Sequence, residues 1–152
     1  MKKTHAAGPG AEEIAILMDA KYALGLIELD SQHTYFFNLL DRVEEVCSKH
    51  AGDGIELMLG ELLRYTEFHF SSEEALMVAY GYPSDGHKAE HAMLMARVRS
   101  MLGDKDFRPP SLRLFLYNWI TNHIDLEDRE LAAFILKART ALDTKVRAVL
   151  GV

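Results

Sequence analysis

The stretch that decides the fold is residues 65–91, which read YTEFHFSSEEALMVAYGYPSDGHKAEH. It contains two pairs of possible metal-binding side chains, and in each pair the residues are four apart. The pairs are His69 with Glu73 and His87 with His91. Residues four apart on an α-helix lie on the same face, one turn above the other. Because Gly81 and Pro83 mark a turn between the pairs, the pattern predicts two successive helices that each present a ligand pair.

The composition fits one globular domain and excludes several functional classes. The chain has 152 residues and a formal net charge of -6, and it has no basic run, which argues against a nucleic-acid-binding surface. Cys47 is the only cysteine, so no disulfide can form within one chain. No window approaches eighteen uninterrupted apolar residues, and the N-terminus lacks the apolar segment of a secretory signal. We therefore expect a cytoplasmic protein without membrane insertion.

Helical periodicity continues on both sides of the opening stretch. We expect a flexible tail at residues 1–12 and an arm at 13–30 with a short helical piece. The first long helix is predicted at about 31–49, with Asp30 or Ser31 as its N-cap. The other helices are predicted at about 55–79 after a turn at 51–54, from a cap at Ser84 to about 102, and from a cap at Ser111 to about 142.

No run alternates with a period of two for long enough to predict a strand. Four long helices with short connections predict an all-α, antiparallel up-down-up-down four-helix bundle with an N-terminal arm. Because the sequence contains no repeat and no linker, residues 13–152 are expected to form one domain.

Every predicted helix places at least one possible metal ligand on its inward side. The set is His33 on the first helix, His69 and Glu73 on the second, His87 and His91 on the third, and His123 and Asp128 on the fourth. A single inward histidine is more often an ordinary core residue, but carboxylates are seldom buried without a partner or a metal. Five inward histidines with two inward carboxylates favour a metal centre over a plain structural bundle. No metal-binding role is expected for His5 or His50.

One spacing in this set does not fit an ideal helix. His123 and Asp128 are five residues apart, which corresponds to about 140° of rotation in an α-helix. Either the helix contains a π-bulge, a feature that is frequent at functional sites, or the metal-binding geometry accepts the offset.

Four segments resemble the hemerythrins, most closely the single-domain bacterial form. They are LDSQH at 29–33, YTEFHFSSEEALM at 65–77, GYPSDGHKAEH at 81–91 and WITNHIDLED at 119–128. The resemblance covers about residues 16–130 and implies a hemerythrin-like di-iron bundle over residues 13–152. One departure is the absence of a tryptophan that is usual in the arm, where Met18 lies nearby.

The resemblance implies a role for each of the seven residues. His87, His91 and His123 would bind one iron, His33 and His69 would bind the other, and Glu73 with Asp128 would bridge both beside a solvent-derived oxo or hydroxo bridge. Counting donors gives six at the first iron and five at the second, so dioxygen is expected at the iron held by His33 and His69. Trp119 and Ile120 are candidate walls of a dry oxygen pocket, with ordinary core residues as the equal alternative.

The function implied by the resemblance is reversible binding of dioxygen by a carrier, store or delivery protein, and not an enzyme. The alternatives are an oxygen or redox sensor, a di-iron peroxidase or oxidase, and a nitric oxide-handling protein. Sensor forms generally carry a fused signalling domain, and none is evident in this sequence. No further general acid or nucleophile is evident near the ligands, which makes catalysis less expected, although weak oxidase or peroxidase activity stays open. The sequence identifies no protein partner.

Overall fold

Helices account for almost all of the described chain, and short connections join them. The structure is a computed structural model that describes residues 20–48, 52–103 and 109–152. Its elements are a 3₁₀ turn at Ala20–Tyr22, α1 at Ile27–Ser48, α2 at Gly52–Tyr80, α3 at Asp85–Leu102, α4 at Pro109–His123, a π-helical segment at Ile124–Asp128 and α5 at Arg129–Leu150. No strand occurs within those three ranges. Since α4, the π segment and α5 follow without a break, they form one long helix, and the predicted all-α four-helix bundle is confirmed.

Each helix buries one apolar stripe, and the stripes meet in a common core. The fully or almost fully buried residues include Leu29, Phe36 and Leu40 of α1, Leu62 and Met77 of α2, Leu94 and Val98 of α3, Leu116 and Ile120 of α4, and Leu131 and Ile135 of α5. They are four or seven residues apart within a helix, or fifteen apart for Leu62 and Met77, and all of these spacings return to one face of an α-helix. Burying each such side chain contributes roughly 1.5–3 kcal/mol to folding, so the core holds the four helices in register around their polar centre.

Three of the predicted helix starts are wrong. Helix α1 begins at Ile27, four residues before the predicted start, and α2 begins at Gly52, inside the predicted turn at 51–54. Helix α4 begins at Pro109, so Ser111 lies inside it instead of capping it. Proline suits the first turn of a helix because its fixed φ is helical and its missing N–H has no partner there in any case.

The predicted N-cap role of Asp30 is also wrong, and that of Ser31 with it. Asp30 lies in the first turn of α1, and its carboxylate accepts hydrogen bonds from the backbone N–H groups of Leu24 at 2.8 Å and Gly25 at 3.0 Å. Gly25 has a φ of 80°, in the left-handed region that favours glycine. The chain therefore turns at Gly25 and enters the helix earlier than the sequence pattern indicates.

The arm before α1 is fastened to the bundle by polar and aromatic contacts. Its 3₁₀ turn confirms the predicted short helical piece. The Arg129 guanidinium donates to the Lys21 carbonyl at 2.8 Å, and the buried Tyr22 ring stacks on Phe37 with 5.8 Å between ring centres. The tail predicted at residues 1–12 lies outside the described residues, as do His5 and His50.

The third helix begins where it is predicted, whereas the last helix ends well beyond its predicted end. Ser84 stands at the N-cap position of α3, but its side chain makes no capping hydrogen bond, and its carbonyl accepts from the Lys88 N–H at 2.9 Å. Helix α5 continues to Leu150, beyond the predicted end at 142, and its residues from Thr140 onward are exposed. None of the described helices combines the length and apolar character that a membrane span requires.

The capping of the turn before α1 by Asp30 can be tested by comparing two neighbouring alanine variants. We expect Asp30→Ala to lower the free energy of unfolding by about 1–2 kcal/mol, because two backbone N–H groups lose their acceptor. Urea denaturation followed by circular dichroism measures this change. Ser31→Ala, an exposed neighbour in the same helix, should stay within about 0.5 kcal/mol of the unchanged protein. Equal losses in the two variants would contradict the role given to Asp30.

Candidate metal centre

Seven buried polar side chains converge in the middle of the bundle. They are His33 from α1, His69 and Glu73 from α2, His87 and His91 from α3, His123 from the end of α4 and Asp128 from the end of the π segment. None of the seven is more than 5% exposed. The structure thus brings together every residue that the sequence analysis selected as a possible metal ligand.

The seven residues form two groups that could each hold a cation. One group consists of Glu73, His87, His91 and His123, and the other of His33, His69, Glu73 and Asp128. Within each group, one donor atom from every residue lies within 4.8 Å of the others. Glu73 belongs to both groups, so the two positions are adjacent.

The two carboxylates lie between the groups and present one oxygen to each side. Glu73 places Oε1 3.2 Å from His69 Nε2 and Oε2 3.0 Å from His91 Nε2. Asp128 places Oδ2 3.2 Å from His33 Nε2, and its Oδ1 is 3.1 Å from Nε2 of both His87 and His123. This is the arrangement expected of carboxylates that bridge two cations.

The polar atoms of the centre lack the hydrogen bonds that burial normally requires. All four oxygens of Glu73 and Asp128, and Nε2 of His33 and His69, are buried without a hydrogen-bond partner among the described residues. Leaving a buried charge or polar atom unpaired costs several kcal/mol, and proteins commonly avoid this cost by binding a metal. The donor set therefore fits bound cations better than a metal-free core.

The spacing of the donor atoms points in the same direction. His123 Nε2 lies 3.0 Å from His87 Nε2 and 3.2 Å from His91 Nε2. Two donors at right angles on a cation, each about 2.1 Å from it, are about 3.0 Å apart. The three imidazoles thus stand where three ligands of one ion would stand, and a mixed imidazole and carboxylate set suits iron, zinc or a related metal.

Burial keeps two of the imidazoles neutral. It lowers the pKa of His69 to about 3, with a further contribution from neighbouring His33. It likewise lowers the pKa of His91 to about 2, assisted by His123. A neutral imidazole has a free lone pair, so neither residue must release a proton at neutral pH before it binds a cation.

The two carboxyl groups differ in their preferred protonation. Burial, followed by the negative charge of Asp128, raises the pKa of Glu73 well above its usual value. Burial alone would also raise the pKa of Asp128, but the imidazoles of His123, His33 and His87 together bring it well below its usual value. Two adjacent carboxylates cannot both ionise easily without a positive charge between them, and a pair of cations would supply that charge.

The π segment explains how His123 and Asp128 can face the same centre. The backbone N–H of Arg129 donates to the carbonyl of Ile124, five residues earlier, which is the π-helical pattern. A wider turn places residues five apart nearly one above the other, whereas an α-helix would separate them by about 140°. Of the two explanations left open by the sequence, the structure has the π-helical one.

Two polar side chains that the sequence analysis did not select contact the far nitrogens of the histidines. Gln32 Oε1 lies 2.9 Å from His69 Nδ1, and Glu74 Oε1 lies 3.2 Å from His91 Nδ1. Such partners fix the orientation of a ligand imidazole. Spacing along one helix could not identify them, because each contact joins two different helices.

The predicted oxygen-pocket residues lie in different surroundings. The half-buried Trp119 ring is nearly parallel to the His123 ring, with 4.4 Å between ring centres. This contact places Trp119 beside the three-histidine group, whereas the expected oxygen position belongs to His33 and His69, so it does not support Trp119 as a pocket wall. Ile120 is completely buried in the core, and its pocket role stays a prediction.

Comparison with known proteins agrees with the geometry of the centre. The family model described as Hemerythrin HHE cation binding domain matches residues 24–135. The chain is 30% identical to the bacteriohemerythrin of Clostridium acetobutylicum, with 72% of this chain and 93% of that protein covered. It is 28% identical to the bacteriohemerythrin of Stenotrophomonas maltophilia, with 72% of this chain and 74% of that protein covered. It is also 28% identical to the bacteriohemerythrin of Methylococcus capsulatus, with 66% of this chain and 80% of that protein covered. No solved structure matches the chain significantly. The family match over most of its length shows that this chain belongs to the hemerythrin family.

Proposed function

We propose that the centre binds two iron ions and takes up dioxygen reversibly, so that the protein is an oxygen carrier, store or delivery protein. The observation that carries the proposal is the presence of two adjacent donor groups that share Glu73 and differ in their number of imidazoles. When bound, the iron pair would supply the electrons that make dioxygen binding possible and reversible.

The ligand assignment follows the two groups. His87, His91 and His123 would hold one iron, and His33 with His69 would hold the other. Glu73 and Asp128 would contact both irons, which is supported by the placement of one oxygen of each carboxylate on each side.

The unequal number of imidazoles supports a position for dioxygen on one side of the centre. Three histidines belong to one group and only two to the other. Glu73 belongs to both groups, and Asp128, a member of the second group, also places Oδ1 3.1 Å from Nε2 of His87 and of His123 in the first. The side of His33 and His69 therefore has one protein donor fewer, and this leaves room for an external ligand there.

The charge of the donor set supports binding of oxygen over its use as an oxidant. Five imidazoles and two carboxylates bring less negative charge than the four Glu and two His of the carboxylate-rich di-iron proteins. Less negative charge stabilises high oxidation states of iron less. The near-complete burial of all seven residues also keeps bulk water, and the protons that it carries, away from the centre.

Reversible oxygen uptake can be tested by visible spectroscopy. We expect iron-loaded protein, reduced without oxygen, to develop absorption bands in air and to lose them again on degassing. Repeated cycles with little loss of amplitude would support the proposed function. Immediate and irreversible conversion to the oxidised form would contradict it and favour an oxidase or a redox sensor.

The bridging role of the two carboxylates can be tested by metal analysis. We expect Glu73→Ala and Asp128→Ala each to lower the iron content from about two ions per chain to one or fewer, because each change removes an oxygen donor from both sides. Iron is measured per folded protein after loading without oxygen. Glu73→Gln and Asp128→Asn, which keep the side-chain shape, serve where the alanine variants fail to fold.

The control for this measurement is Glu56→Ala, which removes an exposed carboxylate from the same helix as Glu73. It should keep the full iron content of the unchanged protein. Full iron retention in both bridging variants would refute the assignment of Glu73 and Asp128.

A further inference from the structure

Glu74 does not belong to the seven-residue set, but its carboxylate contacts one of the seven residues and is partly exposed to solvent. Its Oε1 lies 3.2 Å from His91 Nδ1, and its side chain is 38% exposed whereas that of His91 is 3% exposed. Glu74 follows Glu73 directly on α2. The two carboxylates contact different nitrogens of the same imidazole, that of His91. Glu73 Oε2 lies 3.0 Å from His91 Nε2.

A cleft of about 500 Å³ opens beside Glu74. It lies between α2 and α3, and its lining includes Glu67, Phe70, Glu74, Lys88, His91 and Arg99. Glu67 and Arg99 form an ion pair across the two helices. The contact between Glu74 and His91 therefore lies at a cleft lined by both charged and apolar side chains, and the apolar core does not enclose it.

Phe70 and Glu74 restrain the His91 ring in complementary ways. The Phe70 ring stacks on His91 almost in parallel, with 3.8 Å between ring centres and 5° between ring planes. Stacking limits tilting but lets a ring rotate within its own plane. The hydrogen bond at Nδ1 removes that freedom and directs Nε2 towards the centre.

In the other group, the corresponding contact is made by a neutral side chain. His69 Nδ1 lies 2.9 Å from the neutral amide oxygen of Gln32. Nδ1 of His33 and of His87 are buried without a hydrogen-bond partner among the described residues. In the described chain, the two groups thus each contain a histidine held at Nδ1 by a side chain, and the partner is a carboxylate in one group and an amide in the other.

We propose that Glu74 is a positioning residue that strengthens cation binding at His87, His91 and His123 relative to binding at His33 and His69. A carboxylate that accepts the Nδ1–H bond fixes the tautomer with a free lone pair on Nε2 and raises the basicity of the imidazole. An amide fixes the orientation but adds no negative charge. The inference rests on the proposed two-cation centre and adds that its two positions differ in their affinity for a cation.

Stepwise metal binding tests the inference without reference to oxygen. Metal-free protein is titrated with Co²⁺, a divalent ion close to Fe²⁺ in its preference for ligands, and binding is followed by calorimetry and visible absorption. We expect Glu74→Gln to weaken one of the two binding steps by about tenfold or more and to leave the other unchanged, since loss of such a partner typically lowers affinity by 10–100-fold. Glu74→Ala should weaken the same step further, because orientation is lost as well as charge.

Glu67→Gln is the matched control. Glu67 lies on the same helix and lines the same cleft, but its ion pair is with Arg99 and not with a histidine of the centre. It should bind both Co²⁺ equivalents like the unchanged protein. The metal-free forms of Glu74→Gln and Glu67→Gln should unfold at the same urea concentration as the unchanged protein, which separates positioning of His91 from a general effect on folding.

The outcomes distinguish the inference from the proposed function. Two Co²⁺ equivalents in the unchanged protein, with both steps unaltered in Glu74→Gln, would overturn the role of Glu74 and leave the two-iron proposal standing. Uptake of a single equivalent by the unchanged protein would overturn the two-cation centre and the inference with it.

Discussion

The burial of two carboxylates among five imidazoles is the constraint on which the rest of this structure depends. Glu73 and Asp128 are fully buried, and their oxygens have no hydrogen-bond partner among the described residues. Such a pair is costly in an apolar core unless positive charge lies between the two groups. Bound cations would supply that charge, while the surrounding apolar stripes hold four helices in place around the centre. Cation binding at such a site would be coupled to folding of the bundle.

The helices are also joined at the end of the bundle from which α5 extends. The Arg139 guanidinium of α5 donates to the Tyr80 hydroxyl at the end of α2 at 2.9 Å, and it pairs with Glu28 in the first turn of α1. One side chain thus connects three helices, and two of them supply His33, His69 and Glu73. The pair with Glu28 is partly exposed and contributes little by itself. Its value lies in fixing the relative position of helices whose cores are already packed.

The sequence was sufficient for the bundle and for the residues of the centre, because both depend on periodicity along single helices. The pairs at spacings of four and the apolar stripes place His69, Glu73, His87 and His91 on inward faces without knowledge of the fold. Helix starts were less predictable, since the Asp30 carboxylate accepts hydrogen bonds from the preceding turn, where Gly25 has a left-handed backbone conformation. Gln32 and Glu74 escaped prediction because their partners lie on other helices. The surroundings of Trp119 likewise depend on how α4 packs, which spacing does not reveal.

The π segment has a consequence for how the long fourth helix can change. In an α-helix each added or removed residue turns everything after it by about 100°, which would swing Leu131 and Ile135 out of the core. A π turn contains one residue more than an α turn. The helix before it and the helix after it therefore keep the same faces towards the core, although the chain is one residue longer. Within Ile124–Asp128, the number of residues can thus change without rotating the core-facing side of the helix that follows. One residue could be gained or lost there during evolution while α5 kept its packing, so that a carboxylate could move towards or away from the centre without rebuilding the bundle.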